Sequence, residues 1–129
     1  MGSSTLINAD RLWIRLMALA EIGATPAGGV NRQALSDGEI AAWRRVIGWA
    51  CEAGLTPSTD AAGNLFLALA GRDRAAPPLL LGSHLDSQPT GGKFDGAAGV
   101  MAALEAVISL AEQGDAPARD IIVVAWMNE

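Results

Sequence analysis

The sequence holds little of what several familiar kinds of protein need. Its one cysteine, Cys51, cannot close a disulfide within the chain, which points to a reducing, cytoplasmic setting; it falls on the apolar side of an expected helix, as a buried thiol would. No apolar run approaches the roughly 20 residues of a membrane span, and Met1-Gly2-Ser3-Ser4 lacks the basic start and apolar core of a secretion signal. Basic residues are few: nine Lys and Arg against 14 Asp and Glu give a net charge of −5. They are scattered along the chain, so neither nucleic acid nor an anionic membrane is an expected partner. What is plentiful is apolar surface. Half of the 129 residues are hydrophobic and the mean hydropathy is +0.26, which suits one small domain whose apolar faces want further cover.

Periodicity outlines the elements. Asn8 is placed to cap a helix running to about Ile22, with Leu12, Leu16 and Leu19 on the stripe that should lie on a sheet, and Gly23 as the stop. Ser36 to Glu39 has capping-box spacing and opens a second helix with Ile40, Trp43, Ile47 and Ala50 on one face. Leu55 to Thr59 and Leu65 to Ala70 form a hairpin about the turn Asp60-Ala61-Ala62-Gly63-Asn64. Leu79-Leu80-Leu81 is a continuous apolar run of the sort buried on both faces of a sheet. A helix from about Gly96 to Gln113 and a strand from Asp120 to Met127 follow. Strand, helix, strand implies a right-handed βαβ unit with parallel strands. His84 and Glu129 then leave the sheet at one carboxyl edge, where open α/β sheets bind ligands.

The loop Gly82 to Gly96 carries the chemistry. His84 and Asp95 are imidazole and carboxylate donors suited to zinc, manganese and related divalent ions. Asp86, two residues beyond His84, is placed to accept the imidazole's other N–H. Asp95 stands at a helix mouth, where the helix dipole favours a carboxylate, and Gly91, Gly92 and Gly96 allow the loop to fold back toward His84. Each residue also has a plainer reading: His-x-Asp as a hydrogen-bonded surface pair, Asp95 as a simple N-cap, Glu129 as a solvated loop residue, and the four tryptophans as core or interface aromatics.

Four strings together resemble one family. These are Gly28-Gly29-Val30-Asn31-Arg32, Asp60 to Leu65, Gly82 to Gly96, and Trp126-Met127-Asn128-Glu129. They are similar to the metal-dependent N-carbamoyl-L-amino-acid hydrolases, β-ureidopropionases and allantoate amidohydrolases, within the aminoacylase and carboxypeptidase-type dinuclear metallohydrolases. Gln88-Pro89-Thr90 looks closer to the carbamoylase and ureidopropionase branch. The resemblance implies an α/β fold, a three-layer αβα sandwich of the zinc-exopeptidase type, with residues 1–129 as the N-terminal portion of the catalytic domain. It implies two divalent ions (zinc, or manganese, cobalt or nickel), with His84 binding one, Asp95 bridging both, Asp86 supporting His84, and Glu129 as general base. A ligating glutamate at position 130, two histidines and a lid used for dimerisation would lie beyond. The implied partners are a small ureido or N-carbamoyl substrate and, for the full-length enzyme, a second copy. It further implies a cis peptide between Asp95 and Gly96. The competing expectations are an aminoacylase or peptidase of the same superfamily, or an inactive truncated piece with a structural role.

Overall fold

The computed structural model describes residues 6–129; the reading of Met1 to Ser4 lies outside them. Seven elements follow in order: α1 (Ala9–Ala20), α2 (Asp37–Glu52), β1 (Thr56–Thr59), β2 (Leu65–Leu69), β3 (Leu79–His84), α3 (Ala97–Ala111) and β4 (Ile121–Trp126). Side-chain caps start the first two helices. Asn8 Oδ1 accepts the Arg11 N–H at 2.9 Å, and Ser36 Oγ accepts the Glu39 N–H at 3.2 Å. The returning half of the α2 capping box is shifted by one residue. Glu39 Oε2 accepts from the Leu35 N–H, because the Ser36 N–H is already given to the Gln33 carbonyl at 3.1 Å.

Helix α2 is rotated from the face its pattern suggests. Ala42, Val46 and Ala50 are buried while Ile40 is 45% exposed. Cys51 sits about 100° further round the helix than Ala50, so it is exposed rather than buried. Helix α1 also departs from expectation, lying against α3 rather than chiefly on the sheet. A polar clamp fixes that contact: Arg11 Nε and Nη2 donate to the Glu105 carboxylate at 2.8 and 2.7 Å, and Arg11 also pairs with Glu112.

The four strands make one sheet in the order β1-β2-β4-β3. β1 and β2 form the expected hairpin, β2 pairs antiparallel with β4, and β3 pairs parallel with β4. The βαβ crossover is therefore present, and the register sets His84 opposite Trp126. Leu65, Leu67, Val123 and Ala125 share the core with Leu16, Leu19, Val46, Leu104 and Ile108, so α1, α2 and α3 stack on one face. Alternation turns Phe66, Leu80, Ile122 and Trp126 to the other face. Leu79 and Leu80 are exposed, not buried on both sides as the leucine run suggests, because β3 is the sheet's edge and Leu80 lies on the face without helices. The described residues thus supply the sheet and one helical layer of an αβα arrangement.

Candidate metal centre

Three chain segments converge at the carboxyl edge of β3 and β4. His84 is the last residue of β3, and its side chain is 14% exposed. Its Nδ1 faces the Asp86 carbonyl oxygen at 2.9 Å and the Asp86 carboxylate at 3.3 Å. Both neighbours are acceptors, so the hydrogen-bond network assigns the proton to Nδ1 and leaves the Nε2 lone pair free. That lone pair faces Asp95, whose Oδ1 is 3.6 Å away. Ligand atoms about 2.1 Å from a tetrahedral ion lie about 3.4 Å from each other, so this spacing fits a shared divalent ion.

Asp95 is open because the helix behind it starts one residue later than an N-cap reading requires. The N-cap of α3 is Gly96, and no side chain caps the helix. The Asp95 carboxylate is half-exposed. Between the two residues the peptide is trans, correcting the cis bond that the resemblance implied. Gly96 makes the turn instead: at φ 67° and ψ −51° it lets the Ala97 N–H reach the Asp95 carbonyl at 2.7 Å, a γ-turn of the uncommon positive-φ form. Of the three loop glycines named above, Gly96 alone takes a positive φ. Gly91 serves differently, exchanging both backbone bonds with Val30.

Glu129 arrives from β4. One ligand atom each of His84, Asp86 and Glu129 lie within 4.8 Å of one another. The buried Asp86 carboxylate accepts the Glu129 N–H at 3.1 Å, so it orients the general-base candidate while its own carbonyl orients the histidine. The hairpin turn supports the same segment. Asn64 donates to Asp60 at 2.9 Å and accepts the Met127 N–H at 2.9 Å, tying the Asp60-to-Leu65 string to the strand end.

One residue beside this site was named in the sequence reading without a role. Arg32 is buried at 1% exposure and spends its donors on main-chain carbonyls, those of Leu85 at 2.7 Å and of Leu19 and Ile22 at 2.9 Å. Burial pushes its guanidinium below the ordinary value, against the pull of Asp86 and Glu39. Burial likewise pushes the Glu39 carboxyl up. The sequence signal for Arg32 is its place at the end of the string Gly28 to Arg32, which carries the resemblance and assigns the arginine no task.

Residues 64–129 match the family described as peptidase family M28. The N-carbamoyl-L-amino-acid amidohydrolase of Rhizobium meliloti is 47% identical over 99% of this chain and 31% of its own length. A hydantoinase/carbamoylase family amidase from Burkholderia vietnamiensis superposes with a TM-score of 0.95 at 47% identity, over the whole of this chain and 31% of that one. Aminopeptidase PepT of Bacillus cereus, at 18% identity and a TM-score of 0.70 over 93% of this chain and 36% of that one, shares the fold. The chain spans about a third of the length of the curated relatives it matches. Among the described residues no helix is long and apolar enough to cross a membrane. This chain belongs to peptidase family M28, and it is similar in sequence and in structure to N-carbamoyl-L-amino-acid amidohydrolases and hydantoinase/carbamoylase family amidases.

Proposed function

We propose that residues 1–129 form the N-terminal portion of the catalytic domain of a metal-dependent amidohydrolase that removes the carbamoyl group of N-carbamoyl amino acids. The observation that carries this is the 3.6 Å approach of a lone-pair-bearing His84 Nε2 to an uncapped Asp95 carboxylate, at the sheet edge that also receives Glu129. His84 and Asp95 would hold a divalent ion, with Asp95 shared by a second. Such a pair supplies a lowered pKa for water and polarises the ureido carbonyl.

The chain's own residues do the rest. Asp86 holds the imidazole through its carbonyl and the Glu129 main chain through its carboxylate. Glu129 takes the proton of the attacking water and delivers it to the leaving nitrogen. Hydrolysis of the carbamoyl group then yields the amino acid, carbon dioxide and ammonia. A cytoplasmic, homodimeric enzyme using two zinc, manganese, cobalt or nickel ions is part of the same reading, as are further ligands from outside these residues.

Two measurements test it. Zinc titration of this chain should show binding that His84→Ala and Asp95→Asn each weaken by at least tenfold. Ammonia release by the intact gene product should favour N-carbamoyl amino acids over N-acyl amino acids and dipeptides. Zinc binding indifferent to both substitutions, or faster turnover of acyl or peptide substrates, refutes the assignment.

A further inference from the structure

We propose that Arg32 is a positioning residue for the His84–Asp86 pair, an inference that deepens the metal-centre reading and rests on it. The three residues after His84 are held on both sides of Asp86 by this one arginine. On the near side, Arg32 Nε donates to the Leu85 carbonyl at 2.7 Å. On the far side, the Arg32 N–H donates to Ser87 Oγ at 2.8 Å and the Ser87 N–H returns to the Arg32 carbonyl at 2.7 Å. The bracket is anchored to the fold through Nη1, which donates to the Leu19 and Ile22 carbonyls at 2.9 Å at the end of α1. Leu85, Asp86, Ser87 and Arg32 are all buried, so water offers these groups no substitute partners.

Position follows from the clamp. With Leu85 and Ser87 fixed, the Asp86 carbonyl stays 2.9 Å from His84 Nδ1 and keeps the proton there. An unconstrained imidazole prefers its proton on Nε2, which would block the atom that faces Asp95. A planar guanidinium reaches three carbonyls from one side chain; a lysine ammonium is a single point with a different fork. The near side of the bracket and its anchor therefore depend on arginine's shape as well as its charge, while the far side is main chain that lysine keeps; Arg32→Lys is not a conservative change here.

His84 is the chain's only histidine, so its ring nitrogens give one unambiguous NMR signature. The 15N shifts of the neutral ring should show the Nδ1–H tautomer dominant. In Arg32→Lys that dominance should be lost and zinc affinity should fall about 10- to 100-fold, as for loss of a group that orients a ligand. Arg11→Met cuts the distant α1–α3 clamp and serves as a control for lost stability alone; it should leave tautomer and affinity unchanged. If Arg32→Lys does not fold, Ser87→Ala decides, since it removes the acceptor of the Arg32 N–H, along with the hydroxyl's own bonds to the Gln88 and Val30 carbonyls, and leaves the arginine side chain in place. A smaller shift toward Nε2–H with several-fold weaker zinc binding is then expected, and an unchanged tautomer overturns the inference. An unchanged tautomer and affinity in a folded Arg32→Lys also overturn it, as does an equal effect of Arg11→Met. If zinc leaves His84 of the unsubstituted chain unmoved, the metal reading falls and this inference with it; if zinc engages His84 equally in both forms, the inference alone falls.

Discussion

Replacing Gly96 by alanine puts the turn at the candidate site to a direct test. The residue adopts φ 67° with ψ −51°, outside the left-handed helical well, in a strained region that costs an L-residue about 1–3 kcal/mol. The added methyl also has nowhere to go. A Cβ at this position would lie 2.5 Å from the His84 carbonyl oxygen and closer still to ring atoms Cε1 and Nδ1. The carbonyl is main chain at the end of β3, so the imidazole must move or the strand must shift. Overpacking of this kind costs about 1–3 kcal/mol. Together the two effects come to about 2–6 kcal/mol, a large part of the roughly 5–15 kcal/mol that holds a domain folded. For a chain of this size about 10 °C or more should be lost from Tm. Gly92→Ala is the matched control in the same loop, because a Cβ there meets nothing within 4 Å and no positive φ is required; its Tm should hold or rise slightly. Thermal unfolding by circular dichroism gives the stabilities, and cobalt or zinc titration shows whether His84 has been displaced. A Gly96→Ala protein that melts within about 2 °C of the parent and binds metal equally well would show that the turn neither strains residue 96 nor crowds the histidine.

Acid should expose the α1–α3 clamp. Burial raises the Glu105 carboxyl, but the bonds from Arg11, the Asn8 N–H and Ser109 outweigh it and leave it below its ordinary value; Glu112 is lowered by its bond from Arg11. Carboxyls lowered in the folded state stabilise above their unfolded pKa of about 4.3 and lose that contribution as pH falls through the folded value. Urea midpoints should therefore fall below about pH 4.3, and Arg11→Met should be less stable at pH 7 with a flatter acid limb; parallel curves would contradict the clamp. Ser36→Ala removes the acceptor for the Glu39 N–H and should cost about 1 kcal/mol, measured by urea unfolding, with an unchanged midpoint ruling out the cap. The 129-residue polypeptide by itself should release no ammonia from N-carbamoyl amino acids in zinc, manganese or cobalt, since His84 and Asp95 alone offer few donors and water must replace the rest. Turnover that Glu129→Gln abolishes would disprove this.

Where a structural feature depends on neighbours in sequence, the residues announce it. Asn8 and Ser36 cap the helices they precede, and Asp60 to Asn64 makes the hairpin turn. The order of strand, helix and strand is enough to imply the parallel pairing of β3 with β4, because a crossover of that length permits little else. Features that depend on what packs against an element stay hidden. The pattern of α2 turns Ile40 inward, and packing in the core with Leu65 and Leu67 selects Val46 instead. The triple leucine of β3 has the composition of an internal strand, yet β3 is the edge among the described strands and Leu79 and Leu80 are exposed. Composition registers how much apolar surface a strand carries and says nothing of whether a neighbour covers it.

At the candidate metal centre, the donor chemistry and the split between His84 and Asp95 as ligands and Asp86 as support were legible in the sequence, and the backbone that enforces the split was not. Two backbone details enforce it. The helix start at Gly96 leaves Asp95 uncapped and half-exposed toward Nε2, whereas Asp86 is buried, turns its carbonyl to Nδ1 and commits its carboxylate to the Glu129 N–H. Had α3 begun one residue earlier, Asp95 would have become a cap for the helix amides, and His84 would have faced no available carboxylate on its lone-pair side. The geometry of the candidate ligands at this edge is therefore set by where a helix begins, and the positive φ of Gly96 is what sets that point.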